Sequence, residues 1–294
     1  MFDICSYLEG RAKLIQAALE TQMPPESTRP AVLHKAMRYS IFAGGKRLRP
    51  ILCLAAAEAV GGDPAPAIIP AIALEALHTY TLIHDDLPAM DNDSLRRGKP
   101  TCHMVFGEAT AILAGDALLT LAFEWLAQTQ APPPYPPNQL ARELAGAAGS
   151  QGVIGGQVED LSAEGQPVSD ERVLYIHRHK TAALLRASVR MGGIMLGASP
   201  SELETLSRYG ENVGLAFQII DDILNETSSA KVLGKAANTD RQREKMTYVA
   251  VHGLEVARNR ADQLTQEAVR KAQSMPGSTE PLIAIAQSMR RRTH

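Results

Sequence analysis

Apolar residues recur at intervals of three and four along almost the whole chain, while the period-two alternation of a half-buried strand is rare. A helix with such an apolar stripe must bury it against other helices. The pattern predicts an all-α fold, with helices over 3–22, 31–43, 48–60, 67–86, 108–128, 138–150, 171–196, 201–224, 247–273 and 279–291. The ends of these segments carry physical markers. Gly44-Gly45 closes one helix and Gly61-Gly62-Asp63-Pro64 another. Ser199-Pro200-Ser201-Glu202 opens one, with Ser199 as N-cap and Pro200 at the first helical position. The stretch APPPYPP (131–137) is a loop, because proline fixes φ and lacks the amide donor. Since the patterns before and after it are alike, residues 1–294 are read as one domain, not two. Residues 226–246 form a long polar loop, and loops of that length inside a domain are often functional.

Composition narrows the function classes. With a formal net charge of -2, no basic field points to nucleic acid or an anionic membrane. No unbroken run of 18 apolar residues is seen, so no membrane span is expected. The opening MFDICSYLEGRAKL is acidic and amphipathic, unlike a secretory signal. Cys5, Cys53 and Cys102 are far apart and form no CxxC, which predicts reduced thiols and a cytoplasmic setting.

Two acidic pairs stand out. Asp85 and Asp86 end an apolar run in HTYTLIHDDLPAMD (78–91), and Asp221 and Asp222 follow another in FQIIDDILN (217–225). Crowded, partly desolvated carboxylates raise one another's free energy and call for a positive partner. Hard oxygen donors at this density suit Mg²⁺. Asp91 lies six positions beyond Asp85, and Pro88 between them distorts the helix enough to bring Asp91 back. One such pair would read as a solvated helix end; two in the same apolar context favour metal.

Cations flank these clusters. GGKRLRP (44–50) places Lys46 and Arg49 on one helical face beside free amides suited to phosphate. RRGKP (96–100) brings Arg96 and Arg97, HRHKTAALLR (177–186) brings Lys180 and Thr181, and Lys235 and Lys245 lie in the polar loop. Cations beside a Mg²⁺-carboxylate site imply a polyanion, most simply a diphosphate. Glu75 and His78 share the Glu-x-x-His spacing of di-iron bundles, but the chain has no second copy. A His-Asp phosphohydrolase would need further ligands from His34, His103, His177, His179 and His252; spacing alone leaves that open, though the paired Asp motifs fit it worse.

GGKRLRP, LIHDDLPAMDNDSLRRGKPT, GEATAILAGDALL, GGQVEDL, HRHKTAALL and FQIIDDIL…LGK resemble, in order, the trans-isoprenyl diphosphate synthases, with the closest likeness to bacterial farnesyl diphosphate synthases. The likeness runs from about residue 30 to 250. It implies a single polyprenyl synthase domain, an isoprenoid synthase-type helical bundle around a central apolar cavity, a homodimer and three Mg²⁺ ions. Its implied reaction condenses isopentenyl diphosphate with dimethylallyl or geranyl diphosphate. By the same resemblance Asp85, Asp86, Asp91 and Asp221 serve the metals, with Asp86 in support. Arg96, Lys180, Lys235 and, less closely matched, Lys245 bind the allylic diphosphate. Gly45, Lys46, Arg49, His78 and Arg97 hold isopentenyl diphosphate, and Thr181 and Gln218 line the reacting carbons.

Product length follows from what closes the cavity below Asp85. Tyr80 and Thr81 lie five and four residues before it. In the resembled family an aromatic at that level stops the chain, so Tyr80 implies a fifteen-carbon product. Asn225 departs from the second motif's usual third Asp, which implies weaker metal affinity, and Glu244 and Val249 depart near Lys245. Geranyl or geranylgeranyl diphosphate as product, or a non-catalytic regulatory subunit, are the alternatives. The C-terminal MRRRTH, with Arg290 to Arg292, is read as a solvated tail end.

Overall fold

A computed structural model describes residues 2–167, 169–227 and 245–290. The chain enters through α1 (Ile4–Gln22), α2 (Ala31–Ile41), α3 (Leu48–Val60) and α4 (Ile68–Asp85). After a small hairpin come α5 (Cys102–Phe106), α6 (Glu108–Ala127), α7 (Gln139–Ala148) and α8 (Val153–Ala163). Then α9 (Asp170–Ile176) passes through a π-helical turn (His177–Ala182) into α10 (Ala183–Met195). Beyond α11 (Pro200–Thr227) lie α12 (Tyr248–His252), α13 (Leu254–Gln273) and α14 (Glu280–Arg290). The all-α expectation holds: among the described residues the hairpin β1 (Leu95–Arg96) and β2 (Lys99–Pro100) is the sheet content.

Caps set several boundaries. Asp3 accepts from the amides of Cys5 and Ser6 at the start of α1. Ser199 accepts from the Glu202 amide at 3.3 Å while Glu202 reaches back to the Ser199 amide at 2.6 Å, a reciprocal capping box. Gly61 ends α3 in the left-handed region at φ 109.

Apolar side chains form two buried clusters. One gathers α1, α2, α4, α6 and α7; the other gathers α9 to α11, α13 and α14. Helices α3 and α10 serve both: α3 sends Cys53, Leu54 and Ala57 to the first and Ile51, Leu52, Ala55, Ala56 and Ala59 to the second, and α10 sends Leu184, Ala187, Met191 and Ile194 to the first and Leu185 and Val189 to the second. The small residues of α3 let α10 approach so closely that a side chain at Gly192 would strike the Cys53 carbonyl.

Several expectations need correction. Helices 65–85 and 108–127 are in fact long and apolar enough to cross a bilayer by length and composition. The first is mostly buried inside the bundle, which accounts for an apolar helix without a membrane. The second packs one side on the core and turns Glu108, Asp116 and Glu124 outward. Helix α8 and the short α5 were absent from the predicted set. Within α8, Gly156 permits close contact, since a side chain there would meet the Lys180 backbone. Gly253, at φ 79, divides the predicted 247–273 helix into α12 and α13. Helix α11 runs to Thr227, so the second Asp pair sits within the helix, not at its end.

Candidate active site

Helix α4 delivers Asp85 as its last residue, and Pro88 prevents regular continuation. The chain doubles back: the Asn92 amide donates to the Leu87 carbonyl at 3.0 Å and the Asp91 amide to the Asp85 carbonyl at 2.8 Å. Asp91 is thus brought beside Asp85. Burial pushes the Asp85 carboxyl up to about 6; Lys180 opposes the shift and Asp91 adds to it. Asp86 is buried and faces elsewhere, gripped by Arg96, whose Nε lies 2.7 and 2.9 Å from its two oxygens. Burial raises the Asp86 carboxyl despite this partner.

The hairpin aims the arginines. Arg97 and Gly98 both have positive φ, 54 and 76, the requirement of a two-residue hairpin turn. The Arg97 guanidinium covers the 44–45 backbone and donates to the Gly44 carbonyl. Gly45 must be glycine twice over: its φ is 118 and a Cβ would lie 2.5 Å from Arg97 Cζ. Arg49 Nη1 meets His78 Nε2 at 3.1 Å. Burial, reinforced by Arg49 and Arg97, holds His78 well below its usual range, so its Nε2 accepts. Burial also lowers Arg49 to about 10, leaving it charged at neutral pH. Lys46 stands exposed on the same loop. Arg47, next to Lys46, turns inward instead and meets Glu75 at 2.6 Å and the Ile41 carbonyl at 2.5 Å.

A third cluster was not foreseen as a unit. Asp160 of α8 receives Lys180 at 2.5 Å and Lys245 at 3.5 Å on one oxygen, and Lys245 also reaches Asp91 at 3.3 Å. Burial disfavours the Asp160 anion, but the two ammonium groups outweigh it and hold the carboxyl below its ordinary value. The segment that returns Lys245 to Asp91 continues to Tyr248, whose amide donates to Asp222 Oδ2 at 2.8 Å. Both Asp motifs therefore border one space, spanned by residues 245–248. An apolar helix ending in a carboxylate turn is thus faced by a lysine-bearing π-turn and a second Asp-Asp helix.

A profile of the polyprenyl synthetase family matches residues 30–286. The chain belongs to the polyprenyl synthetase family. It is 48% identical over 292 residues to the heterodimeric geranylgeranyl pyrophosphate synthase large subunit 1 of Arabidopsis thaliana, covering 97% of this chain and 78% of that one. The fold matches the geranylgeranyl pyrophosphate synthetase of Pyrococcus horikoshii Ot3 with a TM-score of 0.88 at 33% identity, over 98% of each chain. It also matches an FPP/GFPP synthase of Zymomonas mobilis with a TM-score of 0.85 at 35% identity, over 97% of this chain and 98% of that one.

In this polyprenyl synthetase the second Asp pair divides its labour. Asp222 is buried and accepts from Gln218 Nε2 at 3.2 Å, and His177 Nε2 lies 3.3 Å from it. Gln218 Oε1 in turn accepts from Thr181 at 2.8 Å. Asp221, on the adjoining side of α11, is less buried, and Asn225 one turn on is buried. Tyr80 is buried with its ring edge-on to His84 at 5.4 Å, while Thr81 turns its hydroxyl onto the His78 carbonyl at 2.7 Å. Lys235 and Glu244 lie outside the described residues, as do Arg291 and Arg292.

The rival readings lose their residues here. Glu75 is committed to Arg47, not to a di-iron site. The histidines of a phosphohydrolase are dispersed: His34 bonds the Thr28 carbonyl, His103 Thr101, His179 the Tyr175 carbonyl and His252 Asp170. Asp160 carried a signal in GGQVEDL, but its cationic partners are not revealed by spacing. Its two lysines come from 20 and 85 residues further along.

Proposed function

We propose that this prenyltransferase condenses isopentenyl diphosphate with dimethylallyl and then geranyl diphosphate to give farnesyl diphosphate. The observation that carries this reading is the closed set of charges at the end of an apolar helix: Asp85 and Asp91, linked through Lys245 and Asp160 to Lys180. The allylic C1–O bond breaks and its electron pair leaves with diphosphate. The double bond of isopentenyl diphosphate supplies the pair for the new C–C bond, and a proton passes to the departed diphosphate. Arg96, Lys180 and Lys245 stabilise the leaving charge. Arg49, Arg97 and Lys46 hold the other diphosphate over the 44–45 backbone, with His78 steadying Arg49.

The acidic side fits Mg²⁺. Among the described residues no three His, Cys, Asp or Glu side chains enclose an ion by themselves. Magnesium commonly takes one or two carboxylates and completes its shell with substrate phosphates and water. Asp85, Asp91 and Asp221 are the residues that would hold it, with Asp86 behind them through Arg96; three ions accord with the resemblance. When bound, the metal supplies charge neutralisation at the leaving diphosphate.

Tyr80 supports a fifteen-carbon limit. Its ring is braced by His84, whose Nε2 contacts the Ile112 carbonyl of α6 at 3.0 Å. The geranylgeranyl names of the Arabidopsis and Pyrococcus relatives favour a twenty-carbon product as the second reading. Incubating the protein with labelled isopentenyl diphosphate, Mg²⁺ and each allylic primer separates them by product length. Farnesyl diphosphate is the expected end product; no product with any primer would sink the reading. A homodimer is supported by the apolar side chains exposed on α5 and α6, namely Met104, Val105, Ile112 and Leu113. Free thiols at Cys5, Cys53 and Cys102 support a cytoplasmic setting.

A further inference from the structure

The π-helical turn His177–Ala182 is an irregularity at the heart of the site, and such turns frequently mark function. It carries three polar side chains to three different elements. Lys180 goes to Asp160 on α8, Thr181 to Gln218 on α11, and His177 to Asp222 on α11. His177 is the least explained of these. It is buried, and among the described residues its Nδ1 has no hydrogen-bond partner. A buried polar ring with one unsatisfied nitrogen is costly, so its presence here points to a task for the other nitrogen.

That task is visible from the Asp222 side. Both oxygens of this buried carboxylate are engaged: Oδ1 accepts from Gln218, while Oδ2 accepts from the Tyr248 amide and faces His177. The Tyr248 amide begins the short α12, three residues after Lys245. Asp222 therefore ties the returning segment to α11, and His177 ties Asp222 to the π-turn. Gln218 is fixed in the same network, its oxygen on Thr181 and its nitrogen on Asp222.

We propose that His177 and Asp222 form a latch: two positioning residues that hold segment 245–248, and with it Lys245, against Asp91 and Asp160, and that set the orientation of Gln218. Asp222 acts through the segment, whereas its neighbour Asp221 is the residue of the pair proposed to hold metal. The latch deepens the prenyl-transfer reading and rests on it for its kinetic consequence, but its structural half is independent of substrate.

The test uses the full-length protein with His177→Leu, His177→Gln, Asp222→Asn and the double variant His177→Leu/Asp222→Asn. Tryptic scission after Lys245, followed by mass spectrometry without substrate, reads the latch directly. Scission should accelerate in His177→Leu and in Asp222→Asn, with the double variant no faster than the singles. His177→Gln, which can still present a donor to Asp222, should restore protection. In steady-state assays kcat/KM for the allylic diphosphate should fall roughly 10- to 100-fold in His177→Leu, the scale of one lost polar contact to a buried carboxylate. KM for isopentenyl diphosphate should hold. Unchanged scission in His177→Leu overturns the latch whatever the activity. So does a uniform loss of melting temperature and activity that His177→Gln fails to rescue. A wild-type protein that makes no product would overturn the prenyl-transfer reading alone, because the scission assay needs no substrate.

Discussion

The amide of Asp91 donates to the carbonyl oxygen of Asp85 at 2.8 Å, closing the turn after α4 and holding two carboxylate-bearing residues together against their like charge. The fold maintains this arrangement at a cost that a bound cation would relieve.

That cost predicts a pH signature. Asp85 titrates near 6 in the fold, raised chiefly by burial, against about 3.9 when unfolded. A raised folded value contributes stability below the unfolded value, and that contribution is lost as pH rises through the folded one. Metal-free protein should therefore lose up to about 3 kcal/mol between about pH 4 and 6 through this residue. Asp85→Asn should abolish product formation yet melt higher than wild type at pH 7.5 in chelator, with the two converging near pH 4. A variant no more stable than wild type at pH 7.5 would contradict the strain at Asp85.

Asp160 anchors two ammonium groups with one oxygen. Asp160→Asn preserves shape and removes the shared charge, so Lys180 and Lys245 should separate. Steady-state kinetics should show kcat/KM for the allylic diphosphate reduced by roughly tenfold or more, the scale of a lost charge-assisted bond. The isopentenyl diphosphate site, built on residues 44–49 and 97, should be less affected. Equal effects on both substrates would mean that Asp160 supports the fold in general.

Glu75 is a structural residue in a functional-looking motif. Its side chain is 3% exposed and pairs with Arg47, 4% exposed. Glu75→Gln leaves a buried guanidinium without its counter-charge, which costs about 3–5 kcal/mol. Urea unfolding should register that loss, while kcat of the folded fraction stays near wild type. A large kcat loss at full folding would return Glu75 to the site.

Those three residues show what the sequence disclosed and what it withheld. Asp85, Asp91 and Arg96 were legible because they lie within twelve residues and proline explains the bend. The helices were legible wherever an apolar stripe was uninterrupted. Helix α8 was hidden because Gly152, Gly155 and Gly156 look like breakers, when Gly156 in fact admits the Lys180 backbone. Arg49 was legible from its spacing to Lys46, but the inward turn of Arg47 to Glu75 was not, because it depends on a left-handed Arg47 at φ 49. Asp160 and His177 depend on partners brought close by tertiary packing, which no local spacing encodes.

Tyr80 tests the product limit. It is buried against His84, and a side chain at Gly115 of α6 would collide with the His84 ring. Tyr80→Ala should open space for a longer chain and shift the product from fifteen carbons towards twenty. Gly115→Ala, by displacing His84, should broaden the product range without touching Tyr80. Chromatography of the dephosphorylated products reads both, and an unchanged spectrum in Tyr80→Ala would remove the residue from this role.

Asn225 is the departure from the second Asp motif, and its burial adds a consequence that the motif alone does not contain. It is 4% exposed, one turn beyond Asp221 on α11. Asn225→Asp would place a carboxylate there with little access to water and near Asp221 and Asp222. Desolvation and like charge would raise the new carboxyl above its ordinary value. By the same linkage as at Asp85, the variant should be less stable than wild type in chelator at neutral pH, by about 1–3 kcal/mol, and should recover as the pH falls below the raised value. Bound Mg²⁺ would offset that penalty, so activity at limiting Mg²⁺ should rise relative to wild type. Melting curves with and without Mg²⁺, paired with a Mg²⁺ titration of activity, check both halves. If Asn225→Asp changed neither the Mg²⁺ dependence of activity nor that of stability, Asn225 would have no part in metal affinity.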